Sequence, residues 1–94
     1  MKYFDWDPEK NDWLKEERDI GFEDVVVAID GGGLLDILTH HNRKKYAAQK
    51  IFVIAIYQYV YLVPFVEDGE KVFLKTIIPS RKSTKKYLEE SYET

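Results

Sequence analysis

Apolar residues recur along this chain with two periods, and the switches between them predict the order of its elements. Tyr3-Phe4-Asp5-Trp6 alternates, which predicts a short strand with Phe4 and Trp6 facing inward. Asp7-Pro8-Glu9 reads as a helix start, with Asp7 as N-cap and Pro8 at the first helical position. That helix should run to about Arg18, with Trp13 and Leu14 toward the core, before Asp19-Ile20-Gly21 breaks it. Phe22, Val25, Val26 and Ile29 fall at i, i+3, i+4 and i+7, one face of a second helix. Three successive valines are poor local helix formers, so this helix depends on its packing. Gly31-Gly32-Gly33 should end it as a C-cap and turn.

Beyond the glycines the pattern turns to strands. Leu34 to Leu38 is a short strand candidate, and 39–49 (T-H-H-N-R-K-K-Y-A-A-Q) reads as a polar loop. Lys50 to Tyr57 and Tyr59 to Val66 are rich in Ile, Val, Phe and Tyr, with a turn near Tyr57-Gln58 that lacks the usual Gly or Asn. Asp68-Gly69 marks a hairpin turn into a strand from Lys71 to Ile78. Pro64 should sit at a sheet edge or a bulge, because it has no N–H to give a ladder. Ser80 can cap a final helix reaching at least Glu90. The expected fold is α+β: a small antiparallel β-sheet with two N-terminal helices and one C-terminal helix, in a single domain spanning 1–94.

Charge alters this picture. Fourteen basic against seventeen acidic residues give a net charge of −3, unlike a generic nucleic-acid coat protein, which is basic throughout. The sum hides an asymmetry: residues 1–30 hold ten acids and four bases, residues 31–70 four of each, and residues 71–94 six bases and three acids. One region can thus meet a polyanion while another meets a cationic partner. The absence of cysteine excludes disulfides, Cys zinc sites and thiol nucleophiles. The acidic N-terminus does not read as a signal peptide, and the longest apolar stretch, Ile51 to Ile56, is far below membrane-spanning length. A soluble cytoplasmic protein is the expectation.

The candidate chemistry concentrates in the segment from Lys71 to Lys86, which carries six bases and no acid. On the expected strand, Lys75 shares a face with Phe73 and Ile77; on the expected helix, Arg81, Lys85 and Leu88 lie along one row, with Lys82 and Lys86 beside it. Arginine grips a phosphate bidentately and lysine supplies a point charge. The hydroxyls of Ser80, Ser83 and Thr84 add anion contacts, whereas a solvated helix face accounts equally well for Lys82, Lys85 and Lys86. His40 is a candidate for proton transfer near neutral pH; His40 and His41 with Asp36 lack a convincing third ligand spacing for a metal. Tyr57, Tyr59 and Tyr61 recur at period two, as a base-stacking ladder or as core cover. The triple glycine ends a helix instead of opening one, so it is no phosphate-binding loop.

F-D-W-D-P-E-K at 4–10, G-F-E-D-V-V at 21–26, Q-K-I-F-V-I at 49–54 and I-I-P-S-R-K-S-T at 77–84 resemble the BrnT-like toxins of bacterial type II toxin–antitoxin systems. The blocks stand in family order and span most of the chain. The resemblance implies a RelE-like ribonuclease fold, RNA as substrate, and a cognate antitoxin, often a BrnA-like ribbon–helix–helix repressor. It implies that Arg81 and Lys82 are the paired bases of the C-terminal motif and Thr84 its threonine, with Gln49 and Lys50 at positions that are Glu or Gln and often Arg in the family. The first helix ends E-R-D at 17–19 where the family has K-H-G, and Gly21 leads into Phe22 with no Ser or Thr between them.

On this reading the 2′-hydroxyl of RNA attacks the adjacent phosphate, leaving a 2′,3′-cyclic end and needing neither metal nor cofactor. Arg81 would stabilise charge with Lys82 or Lys75 assisting; His40, Tyr61 or a lysine would move the proton. Lys50, Ser80, Thr84, Lys85 and Lys86 would hold RNA, and the chain would form a homodimer or a toxin–antitoxin hetero-oligomer. The alternative is a non-catalytic binding module, or a toxin that has lost activity, whose basic face docks an acidic antitoxin or other partner.

Overall fold

The computed structural model describes residues 2–39 and 49–89. The elements in chain order are β1 (Tyr3–Trp6), α1 (Pro8–Arg18), α2 (Phe22–Asp30), β2 (Leu34–Thr39), β3 (Gln49–Ile56), β4 (Tyr59–Asp68), β5 (Lys71–Leu74), β6 (Ile78–Pro79) and α3 (Arg81–Thr84). A π-helical turn, Lys85–Glu89, carries α3 onward. The strands form one sheet in the order β1-β5-β4-β3-β2, with β6 also on β4. The layout is the expected α+β one, with a correction: β1 runs parallel to β5, so the sheet is not wholly antiparallel. The chain crosses from β1 to the far edge through α1 and α2, meanders back to β5 beside β1, then returns to β4 as β6.

Local chemistry sets most boundaries. Asp7 accepts the Glu9 amide at 3.0 Å, and Pro8 opens α1. The helix closes on Asp19 in the left-handed region at φ 55°. α2 is held helical by burial of one face: Phe22 and Val25 are fully buried, and Ala28 and Ile29 pack beside them, while Val27 faces solvent. Gly33 closes the turn after α2, donating to Ala28 O at 2.6 Å, and a side chain there would run into backbone oxygens of Ala28 and Ala55.

The core lies between the α1–α2 layer and one face of the sheet. Leu14, Ile20, Phe22 and Val25 meet Phe52, Ile54, Val63, Phe65, Leu74 and Ile77 there. Phe52 and Phe65 stack with ring centroids 3.7 Å apart. Trp13 is corrected from core to surface: it is 43% exposed, with Lys10 Nζ 4.5 Å and Arg18 Cζ 5.3 Å from its ring centroid. Val53 and Val60 are fully buried outside that cluster. Across the sheet, Tyr87 of the C-terminal helix donates to Asp36, which sits opposite Val53, at 2.9 Å.

The expected strand from Lys71 to Ile78 is interrupted, and Pro64 is the reason. Its carbonyl accepts the Lys75 amide at 2.8 Å, so its nitrogen faces the same neighbour and has no hydrogen to donate. The ladder stops at Leu74 and resumes as β6, where Ile78 pairs with Leu62 and Pro79 with Tyr61. Ile77 fills the step, fully buried, and its carbonyl takes the Arg18 guanidinium. Lys75 therefore lies beyond the end of β5, exposed, with Nζ 5.8 Å from the Phe73 ring centroid.

Candidate functional site

The β3–β4 hairpin has a two-residue loop, because Ile56 pairs directly with Tyr59. Such loops favour positive φ at both central residues, and Tyr57 (φ 52°) and Gln58 (φ 64°) adopt it. Neither is Gly or Asn, so the turn carries strain of roughly 1 kcal/mol per residue. Tyr57 is 84% exposed.

The C-terminal helix is stitched beside this turn. Ser80 donates its amide to Val60 O at 2.9 Å, and its hydroxyl oxygen accepts the Ser83 amide at 3.1 Å as N-cap. Thr84 Oγ1 accepts the Val60 amide at 2.8 Å and donates to Ser80 O at 2.8 Å. Both backbone groups of Val60 are thus taken by the helix. Ser80 and Thr84, expected as RNA contacts, are anchors here, and Thr84 is buried. Their work fixes where Arg81 and Lys85 emerge.

Between turn and helix lies an open groove of about 550 Å³, lined by Gln58, Tyr59, Arg81, Thr84, Lys85 and Glu89. Tyr59 stands edge-on to Tyr61, centroids 5.7 Å apart. Tyr61 does not line the groove; it packs against the core behind Tyr59, and burial, with Tyr59 adding to it, pushes its phenol up. Tyr61 therefore stays protonated at neutral pH, which suits a hydrogen-bond donor and not a base. Tyr57 sits in the turn, so the three-tyrosine ladder reduces to Tyr59 and Tyr61.

Two cations and one carboxylate, Glu89, line the groove, and no ion pair joins them among the described residues. The described ion pairs, Lys2–Glu67, Lys15–Glu23 and Lys50–Glu67, all lie elsewhere. Arg81, Lys82 and Lys85 are exposed and have no acidic partner among the described residues; Lys86 is exposed with Nζ 5.3 Å from the Tyr87 ring centroid. Lys82 and Lys86 flank the groove without lining it. Helix geometry changes here from α to π, an irregularity common at functional sites.

Other sequence-predicted residues lie apart. Lys50 begins the far end of β3, about 23 Å along the strand from the turn by strand rise, and its Nζ is 3.5 Å from Glu67. Lys75 sits beside Pro64, midway along β4. His40 and His41 lie outside the described residues. Asp36, considered with them for a metal, accepts the Tyr87 phenol, whose pKa rises chiefly through that hydrogen bond. Among the described residues no three His, Cys, Asp or Glu side chains gather as a metal site. Gln58 and Glu89 went unnoticed as groove residues in the sequence, whereas Tyr59 stood out only as part of the tyrosine ladder; for Glu89 the signal was its i+4 spacing from Lys85.

No known family model, curated protein or solved structure matches the chain. No helix among the described residues is long and apolar enough to cross a membrane.

Proposed function

We propose that this protein is the ribonuclease toxin of a bacterial type II toxin–antitoxin pair, with a RelE/BrnT-like fold, acting in the cytoplasm and neutralised by a cognate antitoxin of the BrnA-like ribbon–helix–helix kind. The observation that carries the reading is the groove that Arg81 and Lys85 line together with the aromatic residue Tyr59, neither cation forming an ion pair among the described residues. Cations with an aromatic surface in one groove match a single-stranded polyanion whose units carry flat bases. The sequence blocks that resemble BrnT-like toxins support the same assignment.

In the proposed reaction RNA lies along the groove with a phosphate against Arg81. Glu89, the carboxylate of the groove, takes the proton of a 2′-hydroxyl. The 2′-oxygen bonds to phosphorus, and Arg81, with Lys82 alongside, stabilises the charge that builds on the phosphorane oxygens. The bond to the 5′-oxygen breaks, and that oxygen leaves with a proton from the Lys85 ammonium. The products are a 2′,3′-cyclic phosphate and a 5′-hydroxyl. Lys75, Lys50 and Tyr61 have no part in this step.

The test is cleavage of end-labelled RNA by purified protein in EDTA, together with growth on expression without antitoxin. The expected outcome is cyclic-phosphate ends and growth arrest, both lost in Arg81→Ala and both reduced at least about 100-fold in Glu89→Gln. Intact RNA with tight binding of an acidic antitoxin would establish the non-catalytic docking module instead.

A further inference from the structure

The β3–β4 turn has a peculiarity that the RNA reading does not need. Glycine or asparagine meets the geometry of such a turn with little strain, yet Tyr57 and Gln58 occupy it with positive φ. Backbone strain that persists beside a groove points to side chains that are used there. Gln58 lines the groove, and so does the following residue, Tyr59. That ring is braced edge-on by Tyr61, which is held against the core. A braced aromatic ring and a carboxamide, next to cations that form no ion pair among the described residues, make a set with two distinct capacities. The ring offers a stacking face, and the carboxamide offers a donor and an acceptor to the edge of a flat heterocycle.

We propose that Gln58 and Tyr59 form a nucleobase subsite: one base of a single-stranded RNA stacks on Tyr59 while the Gln58 carboxamide hydrogen-bonds to its edge. Arg81 and Lys85 hold the flanking phosphates. The subsite rests on the RNA reading for its ligand, but it concerns binding and base choice, not cleavage. It assigns the strain of the turn a purpose: the hairpin gives up stability to place an amide in the groove. An acidic protein segment would use the cations and leave the ring and amide idle, so the observations favour a nucleic acid.

The experiment measures fluorescence anisotropy of two labelled probes, a single-stranded RNA of about ten nucleotides and an abasic chain of equal length and charge. The wild-type protein is expected to bind the base-bearing probe about tenfold more tightly than the abasic one, the range of one base stacked on an aromatic side chain. Tyr59→Leu and Gln58→Gly should each bring that ratio close to one while leaving abasic binding unchanged. Tyr59→Phe should keep most of the preference, since the stacking face remains. Arg81→Ala should weaken both probes alike. Gln58→Gly relieves a left-handed non-glycine residue, so its melting temperature should rise by about 4 °C as base preference falls, which separates lost recognition from lost folding. A wild-type ratio in both Tyr59→Leu and Gln58→Gly overturns the subsite and leaves the ribonuclease proposal untouched. Equal binding of both probes and a polyglutamate peptide by the wild-type protein also overturns it, marking a plain polyanion dock. Base-dependent binding with no cleavage sustains the subsite and removes the ribonuclease.

Discussion

Two corners of this molecule are each built around a buried polar residue, Asn11 where α1 meets α2 and Thr84 where the C-terminal helix meets β4. Asn11 accepts the Phe22 amide at 2.8 Å and donates to Glu23 at 2.9 Å. Thr84 likewise takes a strand amide and returns a hydrogen bond to Ser80. The anchoring device is the same. The charges around it differ. At the first corner Glu23 is shared by Asn11 and Lys15, and Asp24 accepts the Gly21 amide at 2.9 Å. At the second corner the hydroxyls are consumed within the fold while Arg81, Lys82 and Lys85 form no ion pair among the described residues. Charge that is consumed locally serves the fold; charge held in place by a neutral anchor and left open is available to a ligand.

The sharpest way to break this comparison is to remove the two anchors. Asn11→Ala leaves the Phe22 amide buried without its acceptor and should lower stability by about 2–3 kcal/mol in denaturant unfolding. Thr84→Val keeps the shape, orphans the Val60 amide, and should lower stability by about 1–2 kcal/mol. RNA binding should fall in Thr84→Val, because Arg81 and Lys85 lose their mounting, and should be unaltered in folded Asn11→Ala. A drop in binding in both would erase the distinction between the corners.

A smaller effect sharpens the contrast through pH. Hydrogen bonds from Lys15 and then Asn11 hold the Glu23 carboxyl well below its ordinary 4.5, at about 2. A carboxyl with a lowered folded pKa contributes stability that is fully present above about 4.5 and is lost as pH falls through about 2. Glu23 is half exposed, so solvent screening limits its contribution to about 1 kcal/mol. Melting between pH 5 and pH 2 should therefore fall less steeply in Lys15→Ala than in the wild type. Arg81→Ala should leave that slope unchanged, because no described carboxylate is ion-paired with it.

The order of elements could be read from the sequence because it is written in local terms: Asp7-Pro8 for a helix start, spaced apolar residues for α2, three glycines for its end. Trp13 was misplaced because helical spacing does not tell which side of a large aromatic stays wet, and two cations settle it outside. The break after Leu74 was hidden because its cause, Pro64, lies on the neighbouring strand. Arg81 and Lys85 stood out within the acid-free segment from Lys71 to Lys86, and they remain the centre of the candidate site. Gln58 did not, and Tyr59 stood out only as one of three alternating tyrosines, since a groove between a hairpin turn and a helix over twenty residues later exists only in three dimensions.

The central claim, that the β4–α3 corner is kept charged for a ligand and not for the fold, is tested most directly on the double variant Arg81→Ala, Lys85→Ala. Its melting temperature and its RNA binding would be measured on one preparation. The account expects melting within about 2 °C of the wild type, since solvated cations contribute little to stability, and RNA binding reduced at least tenfold. A clear loss of melting temperature with unchanged RNA binding would contradict it.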